Sequence, residues 1–180
     1  GPVTPRFGAS PHGSENPARM PGFLFVTDRY ACHHAIPPAN LITTMHHIDS
    51  LRILAEQAAQ HAYAPYSKLR VGAALRGASG AVYAGCNVEN ASYSIGGCAE
   101  RAAIAAAVQA EGADFRLAAI AVAAFSDTGT PLPVSPCGAC RQALIEFGID
   151  ACVSFRQPDG RWAEVAADAL LPYRFILPPQ

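Results

Sequence analysis

Two groups of cysteines stand at the starts of two predicted helices, and this placement strongly constrains the fold. Cys98 follows a loop and opens an alanine-rich helix predicted to reach about Glu111. Cys137 lies 39 residues further on and opens, together with Cys140, a second helix predicted to reach about Phe147. If both helices pack side by side on one face of a sheet, their N-termini meet, and a helix N-terminus favours negative charge. The three thiols are therefore predicted to converge.

The order of predicted elements is helix, strand, strand, helix, strand, helix, strand, strand, helix. A hairpin followed by alternating strands and helices indicates a mixed sheet with helices on its faces. The first helix is expected to begin near a cap at Asp49 or Ser50 and to run to about Tyr63. The strands are expected at 69–75, 81–86, 117–123 and 151–155 and around Trp162, with a brief final helix at 165–171.

The first 45 residues differ from the rest of the chain. They are rich in proline and show no sustained helical or strand periodicity. We expect residues 1–45 to be a poorly ordered arm, partly tag remnant or upstream sequence, and residues 46–180 to be one domain.

Charge and hydropathy exclude several classes of protein. The formal net charge is −1, with 13 basic and 14 acidic side chains and no basic block, which argues against nucleic acid as the main partner. No apolar run approaches the roughly 20 residues that a membrane helix needs, and the first thirty residues lack the order of a secretory signal. The six cysteines are therefore expected to be reduced thiols of a cytoplasmic protein.

The pair Cys137 and Cys140, taken alone, fits a redox motif, a zinc site or simple packing. Adding Cys98 favours zinc, because three thiolates with an open fourth position are typical of a catalytic zinc site. Glu100 is either a first-turn acidic residue that complements the helix dipole or the group that moves protons for water activated by the metal. Three thiolates on one zinc ion carry a net charge of −1, and Arg101 is either the cation that balances it or a surface arginine.

Asn87 and Glu89 stand two apart at the end of a predicted strand. Side chains at this spacing point the same way, which suits two hydrogen bonds to neighbouring hydroxyls. Both residue types are also common in turns, so the pair alone leaves this alternative open.

Across residues 48–171 the chain resembles the small, homo-oligomeric cytidine deaminases. The motifs that carry the resemblance are P-Y-S-K at 65–68, V-G-A-A-L at 71–75, G-C-N-V-E-N-A-S-Y at 85–93, C-A-E-R at 98–101, S-P-C-G-A-C-R-Q at 135–142 and L-L-P at 170–172. The resemblance implies a three-layer α/β/α fold with a mixed five-stranded sheet. It implies one zinc ion per subunit, bound by Cys98, Cys137 and Cys140, with Glu100 as the proton shuttle.

The resemblance also implies a nucleoside substrate. Asn87 and Glu89 would bind ribose, while Leu69, Tyr93 and backbone groups near Ala99 and Ser135 would contribute to the substrate site. The family usually has Phe where this chain has Leu69, so aromatic stacking is lost there while hydrophobic contact is kept.

The implied reaction is hydrolytic deamination of free cytidine and 2′-deoxycytidine in pyrimidine salvage. The same chemistry on a blasticidin-type antibiotic, or on a base in a polynucleotide, is an alternative within the enzyme class. A structural zinc or redox domain is the alternative outside it. The implied assembly is a homotetramer whose sites borrow residues across subunits, with Tyr83, Tyr93 and Phe125 either at interfaces or in the core.

Overall fold

The computed structural model describes residues 41–178, with side chains from residue 48 onward. Its helices and strands follow one another as α1 (Leu41–Ala59), β1 (Arg70–Gly77), β2 (Val82–Cys86), α2 (Ala99–Glu111), β3 (Leu117–Phe125), β4 (Pro131–Leu132), α3 (Gly138–Phe147), β5 (Cys152–Arg156) and β6 (Trp162–Ala166). Five strands form a sheet in the order β2-β1-β3-β5-β6, and the two-residue β4 pairs with β3 as a sixth. Only β3 and β5, among the strand pairs of the described residues, run parallel. The sheet is therefore mixed, as predicted.

Helices cover both faces of the sheet, which confirms the three-layer arrangement. On one face α1 buries Ile48, Leu51 and Ala55 against alanines of β1 and β3. On the other face α2 and α3 share a single apolar core with the strands, to which Ile104 and Leu144 contribute. Because α2 and α3 lie on the same face, their N-termini reach the same edge of the sheet.

Two glycines allow the helices to approach the sheet closely. A Cβ atom at Gly72 would lie 2.0 Å from the carbonyl oxygen of Ala55 in α1, and one at Gly85 would lie 2.5 Å from the backbone nitrogen of Ala103 in α2. Gly85 therefore sets the distance between β2 and the helix that follows Cys98.

Three sequence predictions need correction. Helix α1 begins at Leu41 rather than at a cap at Asp49 or Ser50, and it ends at Ala59. No proline or glycine interrupts residues 41–59, so nothing stops the helix from extending upstream of the polar residues.

The predicted final helix at 165–171 is also wrong in its first half. Residues up to Ala166 belong to β6, which pairs with β5, and only Asp168–Leu170 form a short 3₁₀ turn. Strand β4 is not among the strands predicted from the sequence. The structure pairs its two residues with the end of β3, where Pro131 stands opposite Phe125.

The predicted arm at residues 1–45 lies outside the described residues, apart from the start of α1. Within residues 41–178, none of the helices has the length and apolar character required to cross a membrane.

Candidate active site

The three predicted cysteine ligands meet at the N-termini of α2 and α3. Cys98 and Cys137 are the N-cap residues of these helices, and neither side chain makes a capping hydrogen bond, so both sulfurs are available to a ligand. Cys140 follows in the first turn of α3 and is buried, whereas Cys137 is exposed. The three sulfurs lie within 4.8 Å of one another, and the Sγ atoms of Cys98 and Cys137 are 3.9 Å apart.

This donor set fits a zinc ion. With zinc–sulfur bonds of about 2.3 Å, tetrahedral zinc holds its sulfurs about 3.8 Å apart, close to the distance between Cys98 and Cys137. Three thiolates leave the fourth tetrahedral position for a small molecule, which distinguishes this cluster from a closed structural site with four protein ligands.

Without metal the three thiols ionise unequally. Burial raises the pKa of Cys140 far above its ordinary value, and the nearby charge of Glu100 raises it further. Burial also raises the pKa of Cys98. Burial opposes ionisation of Cys137 as well, but the nearby backbone N–H and thiol of Cys140 and the thiol of Cys98 favour the charged sulfur, outweigh burial and lower the pKa of Cys137. Metal binding must therefore displace protons from Cys98 and Cys140.

Glu100 is a buried carboxyl beside this cluster. It lies in the first turn of α2, with only 4% of its surface exposed. Burial raises its pKa above the ordinary value for glutamate, although hydrogen bonds from its own backbone N–H and from the Cys140 thiol act in the opposite direction. A carboxyl with a raised pKa in a cleft is suited to accept and return a proton near neutral pH.

A cavity of about 400 Å³ opens in front of the cysteines and Glu100. Cys98, Cys137 and Glu100 line it, while the buried Cys140 does not. All six residues predicted to bind substrate also line it, namely Leu69, Asn87, Glu89, Tyr93, Ala99 and Ser135.

Arg101, predicted to balance the charge of the thiolates, is exposed on the first turn of α2 and does not line this cavity. The charges of Cys137 and Glu100 add to burial in raising the pKa of the Cys98 thiol. The role of Arg101 stays a prediction.

Asn87 and Glu89 brace the chain segment that forms one wall of the cavity. The Asn87 Oδ1 accepts a hydrogen bond from the backbone N–H of Val71 at 2.7 Å, and its Nδ2 donates to the carbonyl oxygen of Leu69 at 2.9 Å. The Glu89 Oε2 accepts from the backbone N–H groups of Tyr66 at 2.9 Å and Ser67 at 3.2 Å. Each side chain keeps further capacity, since an amide offers two donor hydrogens and a carboxylate has a second oxygen.

The same segment contains an unusual backbone conformation. Lys68, directly before Leu69, has φ of 60°, the one positive φ at a residue other than glycine in the described part of the chain. Such a conformation persists only where the surroundings hold it. The hydrogen bonds from Tyr66 and Ser67 to Glu89, and from the Leu69 N–H to the Ser67 hydroxyl at 3.0 Å, provide that restraint.

A second cavity of about 390 Å³ adjoins the first. Its walls share Ser67, Glu89, Tyr93 and Gly96 with the first cavity. The ring of Tyr66 stands edge-on to that of Tyr93, with the ring centroids 5.9 Å apart. Tyr93 is 78% exposed.

The two other aromatics considered for an interface are largely covered within the chain. Tyr83 is half-buried and donates a hydrogen bond to Glu111 at 3.0 Å, and Phe125 packs against the cluster under α1.

The sequence did not identify all residues of the site. Ser67 and Val134 line the cavity but had no assigned role. Ser67 belongs to the P-Y-S-K motif, and Val134 directly precedes Ser135. These positions in the sequence could have indicated that both residues lie at the cavity. Arg141, directly after Cys140, donates hydrogen bonds to the loop before Cys137, and its place in the C-G-A-C-R-Q motif was the corresponding signal.

Comparison with known proteins agrees with this geometry. The family model for the cytidine and deoxycytidylate deaminase zinc-binding region matches residues 45–156. The chain is 48% identical to a cytidine deaminase of Sporosarcina psychrophila over 102 residues, which is 56% of this chain and 71% of the relative. It is 43% identical to a cytidine deaminase of Halalkalibacterium halodurans over 120 residues, which is 66% of this chain and 86% of that protein.

Solved structures show the same likeness. The crystal structure of cytidine deaminase from Burkholderia pseudomallei is similar with a TM-score of 0.62 and 43% identity, over 71% of this chain and 98% of that one. The enzyme from Mycobacterium tuberculosis is similar with a TM-score of 0.59 and 40% identity, over 72% and 98% of the two chains.

The fold and the three-cysteine cluster together define a zinc-dependent hydrolytic deaminase. The chain belongs to the cytidine and deoxycytidylate deaminase family, whose zinc-binding region it carries, and its cysteine cluster fits one zinc ion per subunit.

Proposed function

We propose that this enzyme deaminates free cytidine and 2′-deoxycytidine to uridine and 2′-deoxyuridine, with release of ammonia. The observation that carries the proposal is a single cavity whose walls include two of the three cysteines, the buried Glu100, and the pair Asn87 and Glu89. This cavity offers a metal position, a proton carrier and hydroxyl-binding groups to one small molecule.

Glu100 is the proposed proton carrier. Cys98, Cys137 and Cys140 would hold the zinc ion, which when bound would supply a Lewis acid that lowers the pKa of water towards neutral. Glu100 takes a proton from the attacking water and gives it to the ring nitrogen next to the amine-bearing carbon. The water oxygen bonds to the amine-bearing carbon, and its second proton then passes to the amine. The carbon–nitrogen bond breaks, the oxygen remains as a carbonyl, and the amine leaves as ammonia. The burial that raises the pKa of Glu100 supports this exchange.

Asn87 and Glu89 are the proposed ribose ligands. The Glu89 carboxylate accepts from the backbone N–H groups of Tyr66 and Ser67 and from the Ser67 hydroxyl, and its two oxygens still have capacity to accept from a ribose hydroxyl. Asn87 retains one amide hydrogen after its bond to Leu69. Both residues are fixed by these backbone contacts, so they bind a sugar without losing further side-chain freedom.

Ala99, Ser135, Leu69 and Tyr93 complete the proposed substrate site. Backbone groups near Ala99 and Ser135 contact the pyrimidine, and Leu69 gives an apolar surface to its ring. Arg101 remains the proposed counter-charge to the thiolates.

A homotetramer is the proposed assembly. Large apolar side chains are exposed around the cavity and along the C-terminal segment, which is typical of a surface that another subunit covers. They are Tyr63, Tyr66, Val88, Tyr93, Ile95, Tyr173, Phe175, Ile176 and Leu177. Light scattering coupled to size exclusion tests this assembly, and a monomer at working concentration would contradict it.

The proposed setting is pyrimidine salvage in the cytoplasm, because a cluster of thiol ligands is retained in a reducing compartment.

Activity on cytidine is the direct test. Zinc-loaded protein is incubated with cytidine and with 2′-deoxycytidine, and the loss of cytosine absorbance is followed. We expect turnover of both, with Glu100→Gln lowering kcat by roughly 10²- to 10⁴-fold, the usual contribution of general acid–base catalysis. Glu146→Gln, an exposed glutamate on α3, is the matched control and should leave kcat unchanged.

Two outcomes would overturn the proposal. One is no turnover of either nucleoside by zinc-loaded protein, with blasticidin-type nucleosides or cytosine in an oligonucleotide deaminated instead. The other is a Glu100→Gln variant that is indistinguishable from the wild type.

A further inference from the structure

Arg141 joins three separate pieces of the chain beside the zinc ligands. Its Nε donates to the carbonyl oxygen of Pro136 at 2.8 Å, and its Nη2 donates to the hydroxyl of Ser135 at 3.1 Å. Its Nη1 donates to the carbonyl oxygen of Leu170 at 3.1 Å. Each of the three guanidinium nitrogens therefore has its own acceptor.

Two of the three acceptors belong to the residues that lead the chain into Cys137. Ser135 and Pro136 directly precede Cys137, and Pro136 is fully buried, so its carbonyl oxygen needs a partner inside the protein. Arg141 itself directly follows Cys140. The guanidinium thus connects the residue after one zinc ligand with the two residues before another.

Little packing surrounds Cys137. It is exposed, and as an N-cap residue it makes no side-chain capping hydrogen bond. By contrast, Cys140 is buried within α3 and Cys98 is half-buried. The frame around Arg141 is therefore the structure that holds the most exposed ligand in place.

We propose that Arg141 is a positioning residue that keeps the sulfur of Cys137 in register with those of Cys98 and Cys140. The role is geometric, since all three contacts of the guanidinium are to neutral oxygens and each has a separate direction. A lysine at this position keeps the positive charge but cannot reach three acceptors in a planar fork.

The consequence is slow release of zinc. Partners that orient metal ligands typically contribute 10- to 100-fold to metal affinity. The inference rests on the zinc site and is independent of the substrate, because zinc release is measured without any nucleoside.

The test follows transfer of zinc from the loaded enzyme to an excess of a chromogenic chelator. We expect Arg141→Lys to release zinc at least about 10-fold faster than the wild type. The matched control is Arg116→Lys. Arg116 also donates to two backbone carbonyl oxygens, those of Ala113 and Phe115, but away from the cysteines, and its variant should release zinc at the wild-type rate.

A second variant covers the case in which Arg141→Lys fails to fold, as judged by circular dichroism. Ser135→Ala removes one acceptor and leaves the arginine in place, and we expect it to release zinc more than twofold faster. If Arg141→Lys folds, wild-type release from it overturns the proposal. If it does not fold, wild-type release from Ser135→Ala overturns it.

A third variant separates geometry from charge. Arg141→Met removes both the hydrogen bonds and the charge, so on this proposal its zinc release matches that of Arg141→Lys. Fast release from Arg141→Met with wild-type release from Arg141→Lys would show that charge holds the zinc, and would also overturn the proposal.

Discussion

The side-chain amide of Asn87 donates a hydrogen bond to the carbonyl oxygen of Leu69 at 2.9 Å. The proposed ribose ligand therefore also fixes the position of Leu69, the residue proposed to face the pyrimidine ring. We predict that Asn87→Asp, which replaces this donor with an acceptor, lowers kcat/KM for cytidine by roughly 10- to 100-fold, because an unsatisfied buried group costs about 1–3 kcal/mol.

Steady-state kinetics with cytidine measure this loss. Asn90→Asp is the control, since the Asn90 Oδ1 only accepts from the nearby backbone N–H of Ser92 and an aspartate preserves that bond. Equal kcat/KM for the Asn87 variant and the wild type would contradict the prediction.

Leu69 offers a gain-of-affinity experiment. It is half-buried at the cavity wall, at a position where the resemblance to cytidine deaminases implies Phe. We predict that Leu69→Phe lowers KM for cytidine by about 2- to 10-fold, because an aromatic contact adds about 0.5–1.5 kcal/mol beyond buried area. Leu69→Met, which adds no ring, should leave KM near the wild-type value, and a raised KM for Leu69→Phe would show that the cavity cannot take the ring.

Glu89 links stability to pH. The hydrogen bond from the Ser67 hydroxyl, with further bonds from the backbone N–H groups of Tyr66 and Ser67 and the charge of Lys68, lowers the pKa of Glu89 below 4.5 despite partial desolvation. A folded-state pKa below the unfolded value means that ionised Glu89 stabilises the fold above pH 4.5 and that this contribution is lost as the pH falls through the folded-state pKa.

The matched comparison is Glu89→Gln. The difference in Tm between the wild type and this variant should stay constant from about pH 7 down to about pH 5 and shrink below that. Thermal melts followed by circular dichroism measure it. A difference that widens in acid would show that the sign is wrong.

Removal of zinc should inactivate the enzyme without unfolding it. The core under α2 and α3 and the cluster under α1 are built from apolar side chains, and neither includes Cys98, Cys137 or Cys140. Cys140 is buried, but it is not needed to join either cluster. We predict that chelation abolishes turnover while far-ultraviolet circular dichroism is retained. Unfolding on metal loss would instead indicate a structural zinc site.

The metal-free protein should also show an order of thiol reactivity. Cys137 is exposed and has a lowered pKa, whereas burial raises the pKa of Cys98 and Cys140, so an alkylating reagent should modify Cys137 first. Peptide mass spectrometry identifies the site, and zinc-loaded protein is the control that should resist modification. Preferential modification of Cys140 would contradict the burial described above.

Gly85 provides a stability test of the contact between β2 and α2. A methyl group there would meet the backbone of Ala103 at 2.5 Å, so Gly85→Ala must push α2 away. We predict a loss of about 1–3 kcal/mol in the free energy of unfolding, measured with urea. Gly138→Ala, whose added methyl meets nothing within 4 Å, should be neutral or stabilising.

Local patterns predicted the elements that carry the zinc ligands. Helices α2 and α3 begin within one residue of the predicted positions. The starts were predictable because each helix follows a loop and a cysteine and consists of alanine-rich or apolar sequence, and the ends were predictable because a glycine follows each helix. The convergence of the cysteines followed from the same pattern, since two helices on one face of a sheet share an edge.

The sequence was less informative where distant pairing decides the structure. Residues 165–166 were expected in a helix, but antiparallel pairing with β5 makes them strand. The contact of Arg141 with Leu170 joins residues 29 apart through a side-chain bond to a backbone carbonyl, and no periodicity encodes such a bond.

The zinc ligands also have a topological consequence. Cys98 and Cys140 bracket a stretch of chain that includes α2 and the buried strand β3. A bound metal ion closes this stretch into a ring and works as a reversible cross-link between the starts of two helices. Fraying of either helix start would then break a metal–sulfur bond, so loaded protein should protect the first hydrogen-bonded amides of α2 and α3, those of Ala102 and Arg141, together from hydrogen exchange.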